Sequence, residues 1–246
     1  MIKNFLQKIA SVCFLALGIV CLSSCMDGGD SDVTVISHAT IGTDPASGYR
    51  FYLDSGEEAI LSGVNAQQIK DARRAMVQFS FDPEKDLQKV GDKSYINGKF
   101  LAAVKVDVDK ILTQLAANDK NLLARDSVYT IESFKSCWAS NGYLCVECVS
   151  AYANMKVPTA TFFYNNMDLK ADTLQINVAM NRHSTASVSG QVSTFNCLSL
   201  SQFAQKYGYG RDSVVISIRD AANGSKLAPA NFKVSAKAFL EPELKY

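Results

Sequence analysis

Histidine is scarce in this chain, since only His38 and His183 occur among 246 residues. Histidine is the usual proton shuttle near neutral pH and the commonest metal ligand, so little material remains for either chemistry. The G-x-S-x-G nucleophile elbow, the phosphate-binding loop and the H-E-x-x-H zinc motif are also absent from the sequence. These absences disfavour the common hydrolases, and we predict no catalytic residue, no metal site, no cofactor and no enzymatic activity.

An excess of charge of one sign is missing as well. The chain has 25 basic and 24 acidic residues, which gives a formal net charge of +1. A domain that binds nucleic acid commonly carries a strongly basic surface, and this composition predicts no such long-range field. We therefore expect no nucleic-acid partner.

The apolar run near the N-terminus, residues 9–20, is shorter than the roughly 20 residues that span a bilayer. It follows two lysines and leads into Leu22-Ser23-Ser24-Cys25, where small residues precede a cysteine. This order is typical of a secretory signal peptide with a lipoprotein cleavage site. We predict that residues 1–24 are removed and that Cys25 carries the lipid.

Residues 25–32 are polar and acidic, and they predict a flexible tether between the lipid anchor and the folded part of the protein. Two interpretations stay open for the acidic residues. They resemble the export signal that follows the lipidated cysteine in surface lipoproteins of Bacteroidota, or they form a simple solvated linker.

Short strand patterns separated by turn signals begin at residue 33. Residues 65–75 have helical spacing, and Asn65 is a plausible cap for that helix. About five short strands and one small helix suit a small closed barrel, so we predict an OB-like β-barrel over residues 33–120. The predicted strands of this half are residues 33–36, 49–53, 58–61, 75–81 and 100–108.

Residues 116–121 are mostly small or polar and carry no strand pattern, which predicts a domain boundary at residues 120/121. Strand patterns then resume, with turn signals such as Asn141-Gly142 between them. We predict an antiparallel β-sandwich over residues 121–246, and hence an all-β protein. The predicted strands of this half are residues 128–131, 143–149, 159–164, 173–178, 213–218 and 232–239.

Four segments follow the tether in a recognisable order: Tyr52-Leu53-Asp54-Ser55-Gly56, Arg74-Ala75-Met76-Val77-Gln78-Phe79, Asn141-Gly142-Tyr143-Leu144 and Arg182-His183. In order and spacing the mature chain resembles the NigD-like lipoproteins of Bacteroidota. The resemblance implies an N-terminal OB-like domain and a C-terminal β-sandwich, and it implies no catalytic residue. The family takes its name from a bacteriocin gene cluster. Where the family pattern has an asparagine after the histidine, this chain has Ser184.

The resemblance and the predicted anchor together imply an outer-membrane lipoprotein that faces the periplasm or the cell surface. We expect it to be non-catalytic and to bind a protein partner in the envelope, including one linked to a bacteriocin. Trp138, Tyr143 and Tyr164 favour an alternative, a surface glycan-binding lipoprotein, although such aromatic residues more often serve packing.

Cys145-Val146-Glu147-Cys148 has the spacing of a redox or metal motif, but it lies within a predicted strand. On a strand the two sulfurs point to opposite faces and the Cα atoms lie about 10 Å apart, whereas a disulfide needs less than about 7 Å. We therefore place Cys148 in the core beside Leu144 and Val146, and Cys145 on the other face with Glu147.

A disulfide between Cys137 and Cys145 depends on the turn between them. A three-residue loop, Ser140-Asn141-Gly142, sets Cys137 opposite Cys145, whereas a two-residue Asn-Gly turn sets Trp138 there. The sequence leaves both alternatives open. The disulfide state of all four cysteines, Cys137, Cys145, Cys148 and Cys197, stays open at this point.

The two histidines receive separate predictions. His38 is expected at the surface beside the first strand. Arg182-His183-Ser184 follows the predicted strand that ends near Met180, and it is either a ligand contact or an ordinary polar turn.

Three tripeptides match the O-glycosylation pattern of exported Bacteroidota proteins: Asp126-Ser127-Val128, Asp172-Thr173-Leu174 and Asp212-Ser213-Val214. Roughly one match is expected by chance at average composition. Ser127, Thr173 and Ser213 are therefore candidate glycosylation sites.

Overall fold

The computed structural model describes residues 31–44, 48–120, 128–153, 156–181, 187–222 and 225–242. Within these ranges the chain forms two compact units, one ending at Val106 and the other comprising Asp107–Glu241. We name them the barrel unit and the sandwich unit. In both, strands account for most of the regular structure, which confirms the predicted all-β class.

The barrel unit contains six strands and one short helix. Its strands are β1 (Val33–Asp44), β2 (Gly48–Leu53), β3 (Glu58–Ser62), β4 (Arg74–Phe81), β5 (Leu87–Val90) and β6 (Lys93–Lys105), and α1 (Ala66–Ile69) lies between β3 and β4. The strand order is β3-β2-β1-β4-β6, and β3 pairs with β6 in parallel, so five strands form a closed barrel. This topology confirms the OB-like prediction. Strand β5 extends β6 as a hairpin.

The barrel closes because β6 changes partners along its length. Residues 95–99 pair with β3, and residues 99–105 pair with β4. Gly98 lies where the partners change, and a Cβ atom there would lie 2.8 Å from the backbone oxygen of Ser80. Glycine is therefore the residue that lets β6 approach β4 so closely.

Alternation along the strands fills the barrel core. Buried residues follow one another at every second position, as in Ala75, Val77 and Phe79 of β4. The centre is closed by large side chains, including Phe51 and Phe100, whose ring centroids lie 6.3 Å apart. The period-2 pattern that predicts half-buried strands therefore holds here.

The predicted helix over residues 65–75 is much shorter in the structure. Asn65 is the N-cap, as predicted, and its side chain accepts a hydrogen bond from the backbone N–H of Gln67. The helix ends after Ile69, and Asp71 then adopts a positive φ of 59°. A residue in the left-handed region cannot continue an α-helix, so the chain turns into β4 instead.

The sandwich unit contains ten strands in two sheets. The strands are β7 (Val108–Lys110), β8 (Leu112–Thr113), β9 (Val128–Tyr129), β10 (Ile131–Ser140), β11 (Tyr143–Tyr152), β12 (Thr159–Tyr164), β13 (Thr173–Asn181), β14 (Gly190–Ser199), β15 (Ser213–Asp220) and β16 (Ala230–Ser235). Among its described residues the unit also has two short α-helices, α2 (Gln114–Asp119) and α3 (Ala204–Tyr207), and three 3₁₀ helices (Asn166–Asp168, Ser201–Phe203 and Ala236–Phe239).

The first sheet has the order β10-β11-β14-β7, and the second has the order β16-β15-β13-β12-β8, with β9 paired to β13. Most neighbours are antiparallel, as predicted. Three pairs are parallel: β13 with β15, β12 with β8, and β14 with β7. The β13–β15 pair is parallel because the chain passes through β14 of the other sheet before it returns in the same direction.

Side chains from both sheets form one core. Leu144, Val146 and Leu198 come from the first sheet, and Leu174 and Ile216 come from the second. The buried Tyr207 of α3 closes this core, and its hydroxyl donates to the carbonyl oxygens of Lys170 (2.9 Å) and Thr173 (3.1 Å). A buried polar group is thereby satisfied.

The division between the units lies at Val106 and Asp107, whereas the sequence places it at residues 120/121. The intervening segment belongs to the sandwich unit because β7 pairs with β14 and β8 pairs with β12. Helix α2 follows, capped by Thr113, and Ala117 packs with Phe163 and Ala179. These elements are too short to produce a recognisable strand pattern.

Candidate binding face on the sandwich unit

Strands β10, β11 and β14 present one face to the core and another away from it. Leu144, Val146 and Cys148 of β11 belong to the core. Cys145 and Glu147 therefore lie on the opposite face, because successive side chains of a strand alternate. We call this opposite face the outer sheet face, formed by Trp138 of β10, Cys145 and Glu147 of β11, and Phe195 and Cys197 of β14.

The β10–β11 hairpin has a two-residue turn. Ser140 pairs with Tyr143, and Asn141 and Gly142 have φ values of 53° and 84°, as a type I′ turn requires. Trp138 therefore lies opposite Cys145. Of the two alternatives left open by the sequence, the structure has the one that separates Cys137 from Cys145.

The cysteines of the Cys145-Val146-Glu147-Cys148 segment lie on opposite faces of β11, as predicted. Burial raises the pKa of Cys148 to about 12 and that of Cys137 to about 11. Both thiols therefore stay protonated at neutral pH, and the thiolate is the form that attacks electrophiles and binds metals. No group of three or more metal-binding side chains occurs in the part of the chain that the structure describes.

Cys145 lies directly opposite Cys197 across β11 and β14, and their Sγ atoms are 3.7 Å apart. Each residue is 1% exposed. Sequence reasoning missed this pair because it did not predict β14, where serine, threonine and asparagine dilute the apolar pattern. The register that brings the two cysteines together is a long-range property that no local signal reports.

An aromatic pair lies beside the two cysteines. The rings of Trp138 and Phe195 have centroids 5.8 Å apart and are tilted by 33°. Phe195 is 41% exposed, and the neighbouring Val108, which pairs with Cys197, is also exposed. The outer sheet face therefore has an apolar aromatic centre that reaches solvent.

Glu147 is the charged group of this face. Its carboxylate accepts hydrogen bonds from the hydroxyls of Ser193 and Ser136, and it forms an ion pair of 3.5 Å with Lys135. The hydrogen bond from Ser193 is the main cause that lowers the pKa of Glu147, with smaller contributions from Ser136 and Lys135. Glu147 is therefore a fixed carboxylate anion beside Phe195, with which it is in register.

Polar side chains continue the face away from its aromatic centre. Gln191 and Ser193 precede Phe195 on β14 and lie on the same side of the strand, and both are exposed. The amide of Gln191 donates a hydrogen bond to the carboxylate of Glu132. An apolar centre with a polar, hydrogen-bonded rim is the arrangement seen in protein interfaces.

The other aromatic residues named from the sequence serve packing. Tyr164 lies edge-on to Phe203, with ring centroids 4.9 Å apart, next to the sandwich core. Tyr143 is buried, and its hydroxyl lies 3.5 Å from a carboxylate oxygen of Glu241. Of the three predicted aromatic candidates, only Trp138 packs against an exposed ring, that of Phe195.

His38 is the first histidine, and it lies within β1 rather than at the surface beside it. It is partly buried on the barrel unit, and this burial is the main cause that lowers its pKa. The nearby Asp54 carboxylate opposes this shift, and Arg74 adds to it. The prediction of a surface histidine is therefore wrong, because the long strand β1 continues past residue 36.

Thr173 and Ser213 are the first residues of β13 and β15. These strands pair in parallel, so both candidate glycosylation sites lie at the same end of the sheet. The hydroxyl of Thr173 donates to the carboxylate of Asp172 at 3.1 Å. Both residues are partly exposed, and glycosylation stays a prediction for them.

Three further predictions concern residues outside the described ranges. These are lipidation of Cys25, glycosylation of Ser127 and a ligand contact at Arg182-His183-Ser184. Most of the predicted tether, residues 25–30, also lies outside them. Among the helices that are described, none has the length and apolar character needed to cross a bilayer.

The barrel unit has a groove of about 500 Å³ between β3, the end of β4 and the middle of β6. Its lining is largely polar and includes Asp32, Asp86 and Lys99. Charges of both signs line the groove, so it does not select cations or anions by charge alone.

No protein-family model matches this chain, and no curated protein matches it. Solved structures share its fold. A candidate toxin-related protein from Parabacteroides distasonis ATCC 8503 is similar with a TM-score of 0.56 and 16% sequence identity, over 83% of this chain and 95% of that one. A protein of unknown function, DUF1344, from Bacteroides vulgatus ATCC 8482 is similar with a TM-score of 0.51 and 17% identity, over 82% and 90% of the two chains.

A NigD-like immunity protein from Bacteroides caccae ATCC 43185 is also among the structural neighbours. Its TM-score is 0.49 and its sequence identity is 12%, over 86% of this chain and 99% of that one. Sequence identity to each of these three neighbours is 17% or less, so the likeness concerns the fold.

Proposed function

We propose that this protein is a non-catalytic, lipid-anchored envelope protein of the NigD-like type, and that it binds a protein partner through the outer sheet face. The observation that carries the proposal is the exposed ring of Phe195 packed beside Trp138. Aromatic side chains at the centre of an interface contribute more binding free energy than most other contacts.

The rim of the face supports a protein partner of mixed polarity. Glu147 and Lys135 supply one charge of each sign, and Gln191 and Ser193 supply hydrogen-bonding groups. Such groups give an interface its specificity more than its affinity. The lowered pKa of Glu147 keeps its carboxylate ionised at neutral pH, so it can accept hydrogen bonds from a partner or pair with a basic group of that partner.

Site-specific photocrosslinking in intact cells tests this proposal. A photoreactive residue replaces Phe195 in the full-length chain, and in a control chain it replaces Met167, which is 87% exposed and lies in a 3₁₀ helix outside the face. We expect one discrete protein adduct from position 195 and none from position 167. The same set of adducts from both positions, or none from position 195, contradicts the proposal.

Affinity measurements then test the role of the aromatic pair. The captured partner is purified and titrated against the unmodified protein and against Phe195→Ala. Because Phe195 is exposed, the substitution should leave the fold intact while it weakens binding by about tenfold or more. Met167→Ala is the matched control and should bind as the unmodified protein does.

Glycan binding is a second candidate, favoured by the position of Glu147 next to Phe195. An aromatic ring can stack on the apolar face of a sugar while a fixed carboxylate and hydroxyls accept and donate hydrogen bonds. A glycan array probed with the full-length protein distinguishes glycan binding from binding of a protein partner. Saturable binding to a defined glycan that Phe195→Ala abolishes supports it, and binding that persists in this variant contradicts it.

A further inference from the structure

We propose that Cys145 and Cys197 are a modification site that forms a disulfide bond across β11 and β14. The two residues are direct partners in the antiparallel register. Their Sγ atoms lie in van der Waals contact at 3.7 Å. The proposal concerns a covalent bond within the sandwich unit, so it stands independently of any partner.

The geometry of the strands permits the bond without a change in the fold. Directly opposed residues of an antiparallel pair have Cα atoms about 4.5–5.5 Å apart, which lies within the roughly 4.4–6.8 Å that a disulfide accepts. Rotation of the two side chains about χ1 is then the main movement needed to bring the sulfurs from contact to bonding distance. Among the described cysteines, Cys145 and Cys197 alone lie directly opposite each other in register.

The other two described cysteines lie elsewhere. Cys148 is part of the sandwich core, and Cys137 packs against that core from β10, so both are on the opposite side of the sheet from Cys145. Cys137 pairs in register with Val146, and Cys148 pairs with Phe134. The backbone therefore favours one specific link over a mixture of links.

The oxidant is a disulfide donor, such as a thiol oxidoreductase in its disulfide form or oxidised glutathione. The thiolate of one cysteine attacks a donor sulfur, forms a mixed disulfide and releases the first donor thiol. The thiolate of the other cysteine then attacks the mixed disulfide and releases the second donor thiol. Two protein thiols are oxidised, one donor disulfide is reduced to two thiols, and the protons pass to the released thiolates.

Cys145 and Cys197 are each 1% exposed in the folded chain, so we expect the bond to form during folding, before the two residues are buried. An exported protein folds where such donors are present. In a compartment that keeps thiols reduced, the same strands would hold the two thiols side by side.

Peptide mapping of the full chain tests the proposal. The chain is refolded with oxidised glutathione, remaining thiols are alkylated in denaturant, and the product is cut at Lys and Arg, after Glu147 and after Tyr143. These cuts separate Cys145 from Cys137 and from Cys148. We expect the fragment 144–147 linked to the fragment that contains Cys197, with Cys137 and Cys148 alkylated.

Matched variants keep the test informative if a single substitution impairs folding. Cys137→Ser with Cys148→Ser should retain the link, and Cys145→Ser should lose it. The oxidised chain should unfold at a temperature higher by roughly 5–15 °C than the reduced chain, and a reducing agent should reverse this shift. Complete alkylation of Cys145 and Cys197 after oxidative refolding, or a link between Cys137 and Cys148, would overturn the proposal.

Discussion

The guanidinium of Arg74 donates two parallel hydrogen bonds to the carboxylate of Asp54, from Nη1 to Oδ1 at 2.8 Å and from Nη2 to Oδ2 at 2.6 Å. Nη1 also donates to the hydroxyl of Thr40 at 3.0 Å. The Arg74 side chain is 1% exposed, so the pair is almost completely removed from water. It joins the start of β4 to the turn after β2, and these are two of the segments that carry the family resemblance.

Removal of the guanidinium should destabilise the protein strongly. Arg74→Ala leaves the Asp54 carboxylate without its bidentate partner in a largely buried position, and loss of one partner of a buried pair costs about 3–5 kcal/mol. The free energy of unfolding, measured by urea titration at neutral pH, checks this. Lys135→Ala is the control, because it breaks the exposed ion pair with Glu147 and should cost about 0.2–1 kcal/mol. Equal losses in both variants would contradict the structural role given to Arg74.

His38 should make the stability depend on pH. Its pKa is lower in the folded chain than the ordinary value of 6.5, chiefly because of burial. Below about pH 6.5 the unfolded chain therefore binds more protons than the folded chain, so stability is lost as the pH falls through this range. Above this value the contribution of His38 is constant.

The measurement is urea unfolding at pH 7.5, 6.5 and 5.5 for the unmodified chain and for His38→Gln. We expect the decline between pH 6.5 and 5.5 to be smaller in the variant, because glutamine has no proton to gain. The lowered pKa of Glu147 acts below its ordinary value of 4.5 and so stays outside this window. The same decline in both chains would show that another group is responsible.

Local signals in the sequence predict a large part of the fold. The Asn141-Gly142 pair located the hairpin turn in the sequence, although it did not fix the register of the two strands. Both residues have the positive φ values that a two-residue Asn-Gly turn needs. Alternation along β11 likewise placed Cys148 in the core and Cys145 on the other face. In both cases the decisive interaction lies within a few residues along the chain.

Other features depend on partners that are distant in the sequence. Strand β14 has few apolar residues, and it exists because β11 and β7 pair with it on both sides. The same is true of β7 and β8, whose pairing places residues 108–113 in the sandwich unit. Cys197 and Phe195 both lie on β14, and the pairing of β14 with β11 sets their positions. Since β14 was not predicted, the sequence did not reveal the outer sheet face.

Lipidation at Cys25 predicts where the protein is found after cell fractionation. Cys25→Ala removes the thiol that would carry the lipid, so we expect the protein to move from the membrane fraction to the soluble fraction. Immunoblots of both fractions check this, with Cys137→Ala as a control that keeps the anchor. Detergent-dependent association of the Cys25→Ala chain would place the anchor elsewhere.

Gly142 links the hairpin turn to two other parts of the sandwich unit. Its N–H donates to the carbonyl oxygen of Ala238 at 2.9 Å, and its own carbonyl oxygen accepts from the N–H of Leu200 at 2.8 Å. With φ at 84°, the residue occupies the left-handed region, and an added Cβ would lie 2.7 Å from Cγ and 3.1 Å from the backbone nitrogen of Glu241. A substitution here meets both backbone strain and a steric clash.

Gly210 separates these two effects. Its φ is 70°, yet a Cβ added there would meet no atom within 4 Å. Gly210→Ala should therefore cost only the strain of the left-handed conformation, about 1–2 kcal/mol. Gly142→Ala should cost about 1–3 kcal/mol more, because the neighbouring chain at Glu241 must shift to admit the methyl group. Urea unfolding of both variants measures the difference, and equal costs would mean that the contact with Glu241 contributes nothing.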